Sequence, residues 1–244
     1  FHFMTGESGA GKTSLLSLLY LHLEATKGRI RLLGQATDMM SRSTKAQIRR
    51  QIGVVFQDYR LLNHLNAFDN VALPLRLAGE KESDIKKHVA ELLSWVGLEK
   101  QLKAYPEELS GGEQQRIAIA RAVIHKPTLL LADEPTGSVD VKTSNYLLDI
   151  FRKLNEELGL TIVIVTHDRL LSKKVNRVVS IRDGKTSSEM IMRQSYREQM
   201  SQLGGLADDV MTQEEFTVMD RANRLQIPAH MLQEIGAKGN KVKL

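Results

Sequence analysis

The sequence predicts an α/β fold with a mainly parallel sheet, and three observations indicate it. Stretches with the pattern of strands alternate with stretches of helical spacing along most of the 244 residues. Thr128–Ala132 and Thr161–Val165 are largely apolar runs, which is typical of strands covered on both faces. Phe1–Thr5 has the pattern of a strand that leads directly into a glycine-rich loop, Gly6–Thr13, with a helical pattern after it.

Each element follows from the spacing of apolar residues and from the turn residues that bound it. The predicted helices are Lys12–Glu24, Gly79–Val96, Gln114–His125 and Ser144–Leu158. The further predicted strands are Gly28–Leu33, the run IGVVF within Arg49–Gln57, and Val178–Ile181, which a turn at Asp183 and Gly184 follows.

The order of these elements predicts the domain organisation. We expect residues 1–185 to form one α/β domain, in which residues 59–126 lack clear strands and form an inserted helical subdomain. Residues 186–244 form a C-terminal tail of unknown role. Because the strand before a glycine-rich loop normally lies inside a sheet, we also expect that an N-terminal segment is missing ahead of Phe1.

Two local signals in the tail predict helices. Thr212 and Glu215 have the spacing of a capping box, which predicts a helix that begins just before Phe216. Pro228 is expected to open a short second helix.

Composition excludes several classes of protein. The chain has no cysteine, which excludes a disulfide framework, a cysteine-ligated zinc and a cysteine nucleophile. No apolar run approaches the ~20 residues needed to span a membrane. The net charge of +5 suits phosphate ligands or an anionic membrane surface, and it is too small to argue for a nucleic-acid partner.

The first chemical motif is the pattern Gly-x-x-x-x-Gly-Lys-Thr in the glycine-rich loop. Glycines let the backbone curl so that successive N–H groups point at a phosphate, and the lysine reaches the β and γ oxygens. The threonine hydroxyl is a ligand for Mg²⁺. The predicted ATP-binding residues are Gly6, Glu7, Ser8, Gly9, Ala10, Gly11, Lys12, Thr13 and Ser14.

Two acids, Asp133 and Glu134, follow the buried apolar strand that begins near Leu129. Acids at the end of a buried strand are costly unless they have partners. We therefore expect Asp133 to hold Mg²⁺, and Glu134 to orient and deprotonate the water that attacks ATP.

Gln57 and His167 each follow a predicted strand. The neutral amide of Gln57 has the reach to join Thr13 and Asp133 at Mg²⁺ and to touch the attacking water. The imidazole of His167 is expected to contact the γ-phosphate and to steady Glu134. Taken alone, a glutamine in a loop is more often solvated, and a lone histidine is more often structural.

A second anion cradle is predicted at LSGGEQQ, Leu109–Gln115, where a small polar turn precedes a helix. Its candidate phosphate contacts are Ser110, Gly111, Gly112, Glu113 and Gln114.

Taken in order, these motifs resemble those of the ABC-type ATPases. The matching segments are Walker A at Gly6–Thr13, the Q-loop residue Gln57, the signature Leu109–Gln115, the Walker B strand Leu129–Asp133 with Glu134, the D-loop from Gly137 to Asp140, and the switch residue His167. The resemblance covers about residues 1–185. It implies the P-loop NTPase fold of an ABC nucleotide-binding domain, ATP and Mg²⁺ as ligands, and hydrolysis of ATP. It also implies a head-to-tail homodimer, in which the signature of one protomer closes on the ATP of the other.

Within this family, the stretches VVFQDYRLL, NVALPL, LSGGEQQRIAIARA and LLADEPTGSVD are most similar to the cell-division ATP-binding subfamily FtsE. That resemblance implies an integral membrane partner similar to FtsX, and a peripheral location on the cytoplasmic face of the bacterial inner membrane. The lipoprotein-release and macrolide-export ATPases share DEPTG-x-x-D and remain the alternative. The aromatic residue that stacks on adenine in the family precedes Walker A, in a region absent from this sequence.

Two other classes compete with a membrane-coupled ATPase. Soluble ABC proteins of DNA repair carry a long coiled coil between the Walker motifs, and those of translation carry two cassettes; neither feature is present in this sequence. A non-catalytic ATP-binding scaffold is disfavoured because every catalytic residue type is present.

The stretch Asp58–Leu62 directly after Gln57 predicts a surface turn with an aromatic residue, an arginine and two leucines. That composition suits an interface with a buried anchor and a polar rim. In relatives a short helix of the membrane subunit docks beside the Q-loop, so we expect this stretch to bind the partner. The alternative is that Leu61 and Leu62 start the core of the inserted helices.

Overall fold

A computed structural model describes residues 1–167, 177–192 and 213–218, and it confirms the α/β fold class. The strands are β1 His2–Thr5, β2 Arg31–Leu32, β3 Gln35–Ala36, β4 Ile52–Val55, β5 Leu129–Asp133, β6 Thr161–Val165, β7 Arg177–Arg182, β8 Lys185–Met192 and β9 Gln213–Thr217. The α-helices are α1 Lys12–Leu19, α2 Arg42–Arg49, α3 Ala67–Ala78, α4 Glu82–Trp95, α5 Gly111–Val123 and α6 Val141–Leu158. The chain forms two compact units.

The first unit comprises Phe1–Lys12 and His167–Leu244. Its described strands lie in the order β1, β7, β8, β9. β1 pairs with β7 in parallel, and the β7–β8 and β8–β9 pairs are antiparallel. β1 is therefore a strand of this sheet, and it leads into the glycine-rich loop.

The second unit comprises Thr13–Thr166. Its strands β4, β5 and β6 are parallel neighbours in that order, and β2 and β3 form a separate hairpin. Leu130, Leu131 and Ala132 of β5 are fully buried, as their apolar run predicted. Between β4 and β5 the chain forms α3, α4 and α5.

Helix α5 packs closely on strand β4. A Cβ atom at Gly53 would lie 2.4 Å from the carbonyl oxygen of Ala122 and 2.8 Å from Leu130 Cδ1. Several side chains of α5 are fully buried, among them Ile117, Ala118 and Ile119. This packing fixes the position of α5, the helix that begins in the signature motif.

Two helices of the second unit had no predicted bounds. α2 begins after Ser41, whose hydroxyl accepts the Thr44 N–H at 3.1 Å. α3 begins after Asn66 and contains Pro74, a residue that interrupts helical patterns in sequence. The predicted first helix ends earlier than expected, at Leu19, because the chain turns at Leu21 with φ of +60°.

The helix predicted from Thr212 and Glu215 is wrong in the residues that the structure describes. Residues 213–217 form β9, in which Phe216 pairs with Glu189 of β8. Pairing with an available strand edge has overridden the capping pattern. The helix expected at Pro228 lies outside the described residues.

In the part of the chain that the structure describes, no helix has the length and apolar character that crossing a bilayer requires.

Candidate active site

The glycine-rich loop from Gly6 to Lys12 lies in the first unit and follows β1. The Gly184 N–H, in the turn between β7 and β8, donates to the Ala10 carbonyl at 3.0 Å. A Cβ atom at Gly6 would lie 2.3 Å from the carbonyl oxygen of Ile181. Gly9 has φ of +80°, a conformation that residues with side chains rarely adopt. The shape of the loop therefore depends on glycines at these positions.

Lys12 places a cation inside this loop. Its side chain is buried, and its ammonium donates to the carbonyl oxygens of Gly6 at 2.8 Å and Glu7 at 2.9 Å. An ammonium has three protons, so these bonds use two of them. The residues Glu7, Ser8 and Gly9 on the rim are exposed. An anion is attracted to such a loop by the ammonium and by the backbone N–H groups.

The two acids lie at the end of β5 in the second unit. Asp133 is the last residue of the strand, Glu134 begins the turn after it, and both are half-buried. Glu134 has φ of +46°, a conformation that costs an L-residue about 1–2 kcal/mol. Its N–H donates to the Val165 carbonyl at 2.9 Å, and its carbonyl accepts the Gly137 N–H at 3.0 Å. Backbone strain of this kind collects at functional sites.

Gln57 lies close to this turn. A Cβ atom at Gly137 would lie 3.4 Å from Gln57 Nε2 and 3.6 Å from Glu134 Cβ. Gln57 itself is an exposed residue. The structure thus brings the Q-loop glutamine and the candidate base to the same glycine.

The signature motif begins helix α5 with a capping box. The Ser110 hydroxyl donates to the Glu113 carboxylate at 2.6 Å, and the Ser110 N–H donates to it at 2.9 Å. The Glu113 N–H donates back to Ser110 Oγ at 3.4 Å. The bond from the Ser110 hydroxyl is the largest cause that lowers the pKa of Glu113 below its ordinary value, and the bond from the Ser110 N–H is the next. The amide of Gln114 donates to the Leu109 carbonyl at 3.0 Å, which holds the turn in front of the helix.

The D-loop residue Asp140 caps helix α6. Its carboxylate accepts the Thr143 N–H at 3.0 Å and the Thr143 hydroxyl at 2.6 Å. The hydroxyl bond is the largest cause that lowers the pKa of Asp140 below its ordinary value. The exposed D-loop is thereby tied to the first turn of α6.

His167 lies in the first unit and is exposed, directly after the buried Thr166. Its expected contact with the γ-phosphate remains a prediction.

Several side chains that join these motifs had no predicted role. Gln115 of α5 is fully buried, and its amide donates to the Pro135 carbonyl at 2.7 Å, in the turn after Glu134. Arg121, in the last turn of α5, donates to the Tyr59 carbonyl at 2.8 Å. These partners are 20 and 62 residues apart in sequence, so no local pattern marks them. The available signal was a polar side chain among the apolar residues of a buried helix.

The metal-site candidates Thr13, Gln57 and Asp133 all lie in the second unit. They offer hydroxyl, amide and carboxylate oxygens, which are the hard donors that Mg²⁺ prefers. Among the described residues no group of three or more His, Asp or Glu side chains is positioned to hold a metal ion. This donor set fits Mg²⁺, which is usually bound by one or two carboxylates together with substrate phosphates.

Comparisons with known proteins agree with this geometry. A family model described as "ABC transporter" matches residues 1–137. The cell division ATP-binding protein FtsE of Escherichia coli K12 is 43% identical over 183 residues, which cover 75% of this chain and 82% of FtsE. The methionine import ATP-binding protein MetN 1 of Burkholderia orbicola is 42% identical over 178 residues; these cover 73% of this chain and about half, 52%, of MetN 1.

A solved structure is also similar. It is titled as the dimeric structure of a post-hydrolysis state of the ATP-binding cassette MJ0796, bound to ADP and Pi. The TM-score is 0.73 at 35% sequence identity, over 79% of this chain and 85% of that one. The chain therefore belongs to the ABC transporter family of ATP-binding proteins, and it is an ATPase.

Proposed function

We propose that the chain is the ATP-hydrolysing subunit of a membrane complex of the FtsE type, and that it drives an FtsX-like membrane subunit in bacterial cell division. The similarity to FtsE and the sequences of the stretches VVFQDYRLL and LLADEPTGSVD support this role. Identity alone does not separate it from import, because MetN 1 is almost as similar. In this role the chain lies peripherally on the cytoplasmic face of the inner membrane.

The observation that carries the catalytic assignment is the meeting of Gln57 and Glu134 at Gly137. In our proposal Glu134 is the general base for the attacking water, and Gln57 orients that water through its amide. Lys12 and the N–H groups of its loop bind the phosphates of ATP. His167 contacts the γ-phosphate.

Thr13, Gln57 and Asp133 are the residues that would hold Mg²⁺. When bound, the ion would neutralise part of the negative charge of the phosphates. The hydroxyl of Thr13 is exposed in the first turn of α1, and Asp133 ends β5, so both oxygens are accessible to a nucleotide.

The signature motif is proposed to act in trans, on ATP held by a second copy of the chain. Ser110 is exposed at the N-terminus of α5, and its capping box holds the first helical N–H groups in place. A helix N-terminus of this kind attracts phosphate. The similar cassette MJ0796 is titled as a dimer, which supports a homodimer here.

The membrane subunit is proposed to dock on the turn after Gln57. Leu62 is 37% exposed, although it is apolar. Its N–H donates to the Asn70 side chain at 2.9 Å, and its carbonyl accepts from the same amide at 3.1 Å. Its backbone is therefore fixed while part of its side chain is open to a partner, which suits an interface anchor. Tyr59 is less suited to docking, because it is half-buried against α5.

Co-purification tests the cell-division role. The Glu134→Gln variant, used to prolong the ATP-bound state, is purified from gently solubilised membranes of its own cells, and its partner is identified by mass spectrometry. An FtsX-like protein is the expected partner. A lipoprotein-release, macrolide-export or import permease as the partner would contradict the proposal and assign the chain to that system.

A further inference from the structure

The signature glycine Gly111 is in contact with the Q-loop segment of its own chain. A Cβ atom at Gly111 would lie 2.8 Å from the hydroxyl of Tyr59 and 3.6 Å from the Ser138 carbonyl oxygen. Tyr59 follows Gln57 by two residues, and Ser138 lies in the D-loop. The absence of a side chain at 111 therefore serves packing within the protomer, besides the approach of a phosphate.

Tyr59 is held in place from the other end of α5. The Arg121 guanidinium donates to the carbonyl of Tyr59 at 2.8 Å and to that of Arg60 at 2.6 Å. Tyr59 and Arg60 have φ of +58° and +46°, conformations that side chains disfavour. Gly111 and Arg121 are about 15 Å apart along the helix axis at 1.5 Å per residue. Tyr59 thus lies along α5, with its ring at the start of the helix and its backbone held from the last turn.

The second signature glycine packs on the D-loop side. A Cβ atom at Gly112 would lie 2.6 Å from the methyl group of Thr143. The Thr143 hydroxyl is bonded to Asp140 at 2.6 Å, which connects this side chain to the D-loop. Gly111 and Gly112 are thus each in close contact with one side chain. Tyr59 follows Gln57, and Thr143 lies in the first turn of α6 after the D-loop.

We propose that Tyr59 and Thr143 are positioning residues that seat the signature turn, so that each protomer presents the turn correctly to ATP bound by its partner. The inference rests on the proposed action of the signature in trans. Gln57 is close in sequence to Tyr59, and Asp140 is close to Thr143. We therefore expect a shift of the Q-loop or the D-loop to move the signature turn. Misplacement of a catalytic contact by about 1 Å costs on the order of 10²-fold in rate.

Complementation between inactive variants tests this assignment. Thr143→Ala removes the methyl group that touches Gly112, and Thr143→Val retains it. We expect Thr143→Ala to lower ATP hydrolysis by on the order of 10-fold to 10²-fold with unchanged ATP affinity, and Thr143→Val to restore most of the rate. Thr44→Ala is the matched control, because Thr44 has the same position after the cap of α2, where its N–H donates to Ser41 Oγ.

The decisive readout is which partner rescues Thr143→Ala. Mixed with Lys12→Ala, it forms a dimer with one site built from an intact P-loop and an intact signature, so hydrolysis should return. Mixed with Ser110→Arg, both signatures are defective and hydrolysis should stay low. If neither partner restores hydrolysis to Thr143→Ala, or if Ser110→Arg restores it, Thr143 does not position the signature turn. A rate of hydrolysis by Thr143→Ala equal to that of Thr44→Ala would also contradict the proposal. Tyr59→Ala provides the same test from the other side of the turn.

A separate mixture tests the arrangement on which the seat depends. Lys12→Ala and Ser110→Arg should rescue each other. If mixing this pair restores no hydrolysis, the signature does not act in trans. If this pair restores hydrolysis but Thr143→Ala is not rescued, the positioning role of Thr143 alone is wrong.

Discussion

Gln57 and Glu134 approach the same residue, Gly137, although they are 77 positions apart in the chain (134 − 57). A Cβ atom placed on Gly137 would lie 3.4 Å from the Gln57 amide nitrogen and 3.6 Å from Glu134 Cβ. The loop that carries Gln57 is therefore in contact with the turn that carries the candidate base. The same turn leads into the D-loop, so only a few residues separate it from Asp140.

The capping box predicts a pH-dependent stability. The pKa of Glu113 is lowered from its ordinary value of 4.5 by bonds from Ser110. The stabilisation is fully present above that ordinary value, and it is lost as the pH falls through the lowered pKa. Glu113→Gln keeps an acceptor but does not titrate. The excess stability of the wild type over the variant, measured by urea unfolding, should therefore shrink below the ordinary pKa. A difference that stays constant with pH would contradict the capping role.

Gly53→Ala should destabilise the fold by about 1–3 kcal/mol, because it overpacks a close contact. The added methyl group would meet the Ala122 carbonyl, which is backbone and has little freedom to move. Gly159→Ala is the control, since Gly159 has space around it and only its φ of +63° opposes a side chain. Urea unfolding should show the larger loss for Gly53→Ala, and an equal or smaller loss would show that α5 and β4 are not so tightly packed.

Leu62→Glu should uncouple the chain from its membrane subunit while ATP binding by the purified chain stays normal. A charge in a desolvated interface anchor costs binding energy, and because this side chain is 37% exposed we expect the fold to tolerate the substitution. Leu33→Glu is the matched control, because Leu33 is similarly exposed at 40% and lies at the β2–β3 turn. Pull-down of the partner at equal levels by both variants would rule out Leu62 as the docking anchor.

The strands β5 and β6 and the glycine-rich loop were predictable because local sequence determines them. A continuous apolar run implies burial on both faces, and a glycine-rich loop after a strand implies a phosphate cradle. β9 was not predictable, because its pairing with β8 joins residues such as Phe216 and Glu189 that are distant in sequence. Local capping chemistry pointed the other way.

The candidate site divides along the same line. Each motif was visible in sequence, but the contacts between motifs were not. In the sequence Arg121 is one basic residue of a predicted helix, and only the fold brings it to the carbonyl of Tyr59. Thr143 reads as an ordinary residue in the first turn of a helix, and only the fold places its methyl group against Gly112.

The most direct test of the account is the rate of ATP hydrolysis by Glu134→Gln. The substitution keeps the size and the backbone turn but removes the group that accepts the proton of the attacking water. ATP affinity should stay at the wild-type level, and the rate should fall by on the order of 10²–10⁴-fold. Glu156→Gln on the exposed surface of α6 is the control and should hydrolyse ATP normally. Hydrolysis by Glu134→Gln at a near wild-type rate would contradict the assignment of Glu134 as the base.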